Sequence, residues 1–232
     1  MTAPATDLAR QVSAQLKATK SLGPTQAWLS NLIASQKPTT PVNALVQTAT
    51  FRILAADLTT CLEQNPQTCL PLDAQNATIK ERRLPGPIVV QVLNIEDMSK
   101  SRWQQIEAIE ALERGEGTQG RQIVRVVPGE EGEDPSRGAG KSFGPHKLLL
   151  QDARGSRIFG IELKDVEGVS LSMSIGSKMV LRNVMIARGV ALLEPATTIL
   201  LGGKIELLHK HWRENRKVDL KAAIEAGESG AD

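Results

Sequence analysis

Tyrosine is absent from this 232-residue chain, which leaves three Phe and three Trp as its aromatic side chains. Small barrels that hold single-stranded nucleic acid stack bases on aromatics at about 1–3 kcal/mol each, so this scarcity counts against a stacking surface. Net charge is also lacking: 28 Lys and Arg against 26 Asp and Glu leave +2. Phosphate binding needs clustered cations, so any nucleic-acid contact must come from a local patch. Only two cysteines occur, Cys61 and Cys69. Free, partly buried thiols are the expected state, with a disulfide between them as the alternative. No apolar run approaches the ~20 residues that span a bilayer, and the N-terminus lacks the charged-then-apolar layout of a signal peptide. The chain is expected to stay inside the cell, with no membrane partner.

Catalytic chemistry is missing too. Gly115-Glu116-Gly117-Thr118-Gln119-Gly120 matches G-x-G-x-x-G by letter. That motif works only between a strand and a helix whose N-terminal amides meet a pyrophosphate, and here it follows a helical pattern and leads into strand-like residues. Gly138-Ala139-Gly140-Lys141-Ser142 resembles the end of a phosphate loop, but Pro135 stands where its first glycine belongs. Phe143-Gly144-Pro145 prevents the helix that would supply the amide cradle. His209 and His211 point to opposite sides of a helix, and His146 has no carboxylate or Cys nearby in sequence, so all three read as surface residues. No enzyme activity, metal or cofactor is expected.

What the chain does have is apolar patterning. Hydrophobic residues make up 41% of it, enough for a core. Leu8, Val12 and Leu16 form a helical stripe. Thr25 can cap a second helix carrying Trp28, Leu29, Leu32 and Ile33, and Pro38 and Pro41 separate it from a third. That third helix, Val42 to about Gln64, is apolar on two sides, with Val42, Leu45, Val46, Ala49 and Ile53 on one and Leu54, Leu58 and Leu62 on the other. A three-helix bundle that also docks on a neighbouring unit is expected within residues 1–75. The segment from Pro66 to Pro87 reads as a connector. Its Lys80, Arg82 and Arg83 are either a solvated linker or a weak DNA or partner contact.

Five strand-like runs follow: Ile88 to Ile95, Lys147 to Gln151, Arg157 to Leu163, Lys178 to Ile186, and Val190 to Leu193. Five short strands with a long excursion after the first imply an OB-type barrel. The fold class is therefore α+β, a helical bundle packed on a five-stranded OB-fold barrel spanning residues 76–217. Leu149, Ile161, Val180, Leu192 and Leu201 are its expected core, and Phe159 shares the inward side of its strand with Ile161 and Leu163. Arg154, Arg157, Lys178, Arg182 and Arg188 remain for weak phosphate contact, so the barrel reads as a holder of protein.

A helix from Ser99 to Leu112 leads into an insertion, residues 113–145, which holds eight of the 19 glycines. Within it lie the acidic cluster Glu130, Glu131, Glu133 and Asp134 and the island Arg121, Ile123, Val124, Arg125, Val126, Val127 and Pro128. Four β-branched residues together suit a segment that orders against a partner, possible by strand addition; packing back on the barrel is the alternative. The rest of the insertion is expected to be mobile. A last helix, Lys204 to Lys217, presents Ile205, Leu208 and Trp212 on one face, and residues 218–232 are expected to be a flexible tail.

Three segments carry a resemblance: Gly176-Ser177-Lys178-Met179-Val180-Leu181; Arg188-Gly189-Val190-Ala191-Leu192-Leu193-Glu194-Pro195; and Leu200-Leu201-Gly202-Gly203-Lys204-Ile205. In this order they resemble the OB domain of the RecQ-mediated genome instability protein 1 family, in a small, fungal-like form, and the similarity runs from about Trp28 to Trp212. The resemblance implies a nuclear, non-enzymatic partner of topoisomerase III (type IA) and a Bloom-type RecQ helicase. It also implies that the insertion enters the topoisomerase gate and supports decatenation and double Holliday junction dissolution. Longer members of that family continue into a second OB domain. A stand-alone single-stranded DNA-binding OB protein is the alternative.

Overall fold

The computed structural model describes residues 3–114, 116–119, 122–125 and 144–228. Three helices open the chain. Helix α1 (Ala3–Lys20) buries Ala9, Val12 and Leu16 against α2 (Gln26–Ala34) and α3 (Val42–Ala55). The Thr25 hydroxyl accepts from the Trp28 amide at 3.3 Å, as its place before α2 implies. The third helix is shorter than its pattern suggested. It ends at the extended residue Ala56, and Asp57 starts a separate turn, α4 (Leu58–Cys61). The break has a physical cause. Asp57 accepts from the Thr59 amide at 2.9 Å and from Gln91 Nε2 at 3.0 Å, which ties this point to the barrel. Cys61 then accepts from the Thr25 amide at 2.9 Å, closing the turn onto the start of α2.

The remaining elements are β1 (Glu81–Leu84), β2 (Ile88–Asp97), α5 (Arg102–Glu113), β3 (Glu116–Gln119), β4 (Gln122–Arg125), β5 (His146–Asp152), β6 (Arg157–Glu162), β7 (Lys178–Leu181), β8 (Val184–Ala187), β9 (Val190–Leu193), β10 (Thr198–Gly202) and α6 (Glu206–Glu228). Eight strands form one curled sheet in the order β1-β8-β9-β6-β5-β2-β7-β10, with β6 and β9 parallel. The run expected as a single strand, Lys178 to Ile186, is two, because Asn183 adopts φ 52° between them. Its first half pairs with β2 and its second with β9, so the circuit β2-β5-β6-β9-β8-β7 returns to β2 through Arg182 and Asn183. This is the OB-type barrel, extended at its edges by β1 and β10. The expected linker around Arg82 is thereby corrected: Glu81–Leu84 is a strand because β8 offers it a free edge.

Strands β2 and β7 are buried on both sides. Val90, Val92, Met179 and Leu181 face the barrel interior, while Val89 and Val180 join the core of the helical domain. A strand covered on both faces reads as an unbroken apolar run, as Ile88-Val89-Val90 does.

On β5, β6 and β9 the inward face is the opposite of the one expected. Leu148, Leu150, Ile158, Gly160, Ala191 and Leu193 point inward, while Leu149, Ile161 and Leu192 are only half-buried and Phe159 is 44% exposed. Of the five residues expected in the core, Val180 alone is fully buried, and Leu201 is partly buried against the helical domain. Polar groups and a glycine occupy the inward positions that pattern reading had assigned to solvent. Glu162 accepts from the His146 amide at 3.0 Å and pairs with its ring at 2.5 Å. Asp152 accepts from the amides of Leu70, Arg154 and Ser156 at 2.8, 2.9 and 2.8 Å. Gly160 leaves room for Leu193 and Leu150, whose methyls lie 3.0 and 3.1 Å from where a Cβ would stand.

Two histidines expected at the surface are buried, His146 in that pair and His209, whose Nδ1 accepts from the Ile175 amide at 3.1 Å. Helix α6 continues to Glu228, past the flexible tail expected from Val218. Helix α5 supplies the reason. Leu220 is buried, Lys217 and Lys221 meet Glu113 and Glu110, and Arg102 donates to the Ala223 carbonyl at 3.2 Å.

Candidate partner-binding surface

The helical domain covers the outer side of β2 and β7 but leaves the outer side of β5, β6, β9 and β8 open. Strand register builds two adjacent rows there. One runs Ala187, Val190, Phe159, Leu149 and the other Met185, Leu192, Ile161, Lys147. Seven apolar side chains thus stand together on the outside of the sheet, and Leu163, 54% exposed, extends the patch beyond β6. Cations rim it. Lys147 Nζ lies 4.4 Å from the centre of the Phe159 ring, Arg157 precedes Phe159 on the same face of β6, and Arg83 pairs with Met185 across the sheet. An apolar centre with a charged edge is the composition of a protein-docking surface. Sequence reading missed it because it assigned Leu149, Phe159, Ile161, Leu163 and Leu192 to the inward side. The one available signal was the alternation itself, which fits either face.

The residues expected to touch DNA are dispersed. Arg82 is engaged internally, both of its terminal nitrogens donating to Asp73 at 2.6 and 2.7 Å. Lys80 and Arg83 are exposed near β1, Arg157 is exposed at the start of β6, and Arg154 is half-buried in the turn held by Asp152. Lys178 is removed from that group altogether, being fully buried between the two domains. Asn183's neighbour Arg182 donates to the Ser21 hydroxyl at 2.8 Å, joining the barrel to the end of α1.

The insertion begins where α5 ends and returns at Pro145. Its strands β3 and β4 form an antiparallel hairpin in which Gly117 faces Val124 and Thr118 faces Ile123. The strand-like residues that follow the dinucleotide-like motif thus pair with that motif's own middle, within the insertion. Ile123, Val124 and Arg125 therefore lie on a strand, while Arg121, Val126, Val127 and Pro128 lie outside the described residues, as does the Gly138 to Ser142 segment. Glu116 to Gln119, the middle of the dinucleotide-like motif, is strand β3 after a helix, opposite to the order a pyrophosphate site needs. Cys61 and Cys69 are free and buried. Among the described residues no cluster of three His, Cys, Asp or Glu could hold a metal ion, and no helix is long and apolar enough to cross a membrane.

An N-terminal helical domain seated on a curled OB-type sheet, with an excursion between the first two barrel strands, defines a class of OB-fold binding proteins. The chain belongs to the family described as RMI1, N-terminal OB-fold domain, which it matches over residues 70–216, and residues 16–61 match the RMI1 N-terminal helical domain. It is similar to RecQ-mediated genome instability protein 1 of Schizosaccharomyces pombe, with 25% identity over 207 residues that cover 83% of this chain and 86% of that protein. It is thus an OB-fold protein of a genome-stability family.

Proposed function

We propose that this chain is a non-catalytic regulatory subunit of a nuclear complex containing a type IA topoisomerase III and a Bloom-type RecQ helicase. In this reading the open face of β5, β6, β9 and β8 seats the topoisomerase. The insertion reaches into the enzyme's DNA gate and promotes decatenation and double Holliday junction dissolution during repair and recombination. The observation that carries it is the apolar outer face, which suits a protein better than a nucleic acid strand. An interface centred on an exposed aromatic loses about 2 kcal/mol or more when that residue is replaced, roughly 30-fold in Kd. Phe159→Asp combined with Leu163→Asp is therefore expected to lose topoisomerase III in co-purification while melting near the parent temperature, since both side chains are already exposed.

Replacing Gly117 to Gly140 with a short Gly-Ser linker is expected to keep that binding but to impair stimulation of decatenation. Stimulation equal to that of the intact chain would remove the gate role, and retained binding by the double variant would remove the docking face.

A second reading, a stand-alone single-stranded DNA binder, draws support from Phe159 facing outward beside Lys147. One stacking platform supplies about 1–3 kcal/mol, and the flanking cations add a strongly salt-dependent term. Tight oligonucleotide binding at physiological salt by the chain alone would favour this reading.

A further inference from the structure

The helical domain has an unusual charge pattern that the barrel does not share. From Leu8 to Ala56 the sequence contains no Asp or Glu, and it contains five cations, Arg10, Lys17, Lys20, Lys37 and Arg52. Two of these are locally neutralised, Arg10 by Asp7 at 3.0 Å and Lys17 by Glu63 at 2.9 Å. Arg52 meets only the Ser35 hydroxyl, at 3.4 Å, and among the described residues no carboxylate pairs with it. The nearest acid along the chain, Asp57, is held by Thr59 and Gln91 at the barrel side.

Beside Arg52, the groove between α2 and α3 opens into a pocket of about 320 Å³ lined by Trp28, Asn31, Leu32, Arg52 and Ala56. Trp28, Asn31 and Leu32 stand at i, i+3 and i+4 on one face of α2, and Arg52 of α3 with Ala56, the extended residue that follows the helix, lines the other side. Trp28, Leu32 and Ala56 make it apolar, while Arg52 and Asn31 supply the polar contacts at its edge. In the same turn of α3, Phe51 is 74% exposed.

We infer that this groove is a second docking site, distinct from the barrel face, for an acidic segment of a partner protein that inserts one aromatic or leucine side chain between α2 and α3. Charge complementarity selects the class of partner. A stretch from Leu8 to Ala56 without acids, in which Arg52 and Lys37 have no carboxylate partner among the described residues, attracts carboxylates, and a guanidinium takes a carboxylate through two parallel hydrogen bonds. The apolar pocket decides against a nucleic acid duplex, whose phosphate surface has no side chain to place there. Short linear segments bind through such an anchor with charges on either side. The inference does not depend on which protein the barrel face holds, and its test does not involve that protein.

The probe is a 12-residue peptide of Asp, Glu and Ser with one central Phe, titrated by fluorescence anisotropy against the full chain. The same peptide with Ala for Phe, one with Lys replacing the acids, and a dT20 oligonucleotide serve as controls. The Phe peptide is expected to bind, and each of two changes should weaken it at least tenfold, which corresponds to about 1.4 kcal/mol: Ala for Phe in the peptide, and Arg52→Glu in the protein. Arg52 is exposed, so its replacement should leave the melting temperature in place. Ala56→Leu, which adds bulk to the pocket lining, should weaken the Phe peptide and leave the weak binding of the Ala peptide unchanged. Failure of the Phe peptide to bind, equal affinity of the Phe and Ala peptides, or equal affinity of the parent and Arg52→Glu proteins would each overturn the inference. So would Arg52-dependent binding of dT20 that exceeds that of the peptide.

Discussion

Gly203→Ala is expected to destabilise the protein by more than about 4 kcal/mol, an effect reached only when a mutation combines backbone strain with a hard clash. Gly203 sits at φ 97°, and an added Cβ would stand 2.4 Å from the Leu54 carbonyl oxygen and 2.9 Å from the Leu54 Cβ. That carbonyl lies at the end of α3 and accepts from the Lys204 amide at 3.2 Å, while the Gly203 carbonyl accepts from the Ser177 hydroxyl at 2.9 Å. The corner between β10 and α6 is therefore pressed directly onto the helical domain, and neither side of the contact is a flexible side chain that could yield. Gly202 is the internal control. It adopts φ 80°, but nothing lies within 4 Å of its added Cβ. Gly202→Ala should cost only the conformational term, about 1–2 kcal/mol. Urea unfolding of the two variants beside the parent separates the effects. Equal midpoints for the two would mean that the corner relaxes freely and that Gly203 does not fix how the domains meet.

The same corner explains which parts of the fold could be read from sequence. Gly176, Gly202 and Gly203, which carry the family resemblance, all have positive φ, and an added Cβ at Gly176 would meet the Ile205 amide at 2.5 Å. Such positions admit glycine for steric reasons, so they mark the chain legibly. Helical stripes such as Ala9, Val12 and Leu16 and the run Ile88-Val89-Val90 were equally plain, because each follows from burial of a local period.

What escaped depends on partners distant in sequence. Helix α3 stops at Ala56 because Asp57 meets Gln91, 34 residues away. Strand β1 exists because β8 lies beside it, and α6 extends because Glu110 and Glu113 of α5 receive its lysines. The inward face of β5 and β6 was inverted because pairing His146 with Glu162 makes two polar residues acceptable inside. That pairing in turn frees Leu149, Phe159 and Ile161 to form the outer face. The candidate site was thus hidden by the same alternation that revealed the barrel.

Lys178→Met is expected to stabilise the protein by about 2 kcal/mol at pH 7 and to change the shape of its pH dependence. Lys178 is fully buried between the barrel and the helical domain, with its Nζ donating to the Gly176 carbonyl at 2.6 Å. Burial lowers its pKa from 10.5 to about 8, although Cys61 and Asp57 act in the opposite direction. A difference of 10.5 − 8 = 2.5 corresponds to about 3 kcal/mol of stability lost below pH 8, where the lysine is charged in both states. Methionine removes that cost but leaves the Gly176 carbonyl without its donor, worth about 1 kcal/mol, and the difference is the expected gain.

Between pH 8 and 10.5 the unfolded chain holds the lysine proton more often than the folded one, so stability rises with pH in that window. Cys61 opposes this. Burial raises its thiol from 9.0 to about 11, so above pH 9 the unfolded chain loses a proton that the folded chain keeps, and stability falls. Burial raises the Cys69 thiol above its ordinary value as well, which adds to the fall, so the parent should gain stability from pH 8 to 9, flatten as the opposing slopes meet, and decline at higher pH. In Lys178→Met the first rise should vanish, leaving a decline that begins near pH 9. Chemical denaturation at half-unit steps from pH 7 to 11 reads both profiles. A parent whose stability is flat or falling from pH 8 to 9, or a variant that keeps the rise, would mean that Lys178 is not held in this buried state.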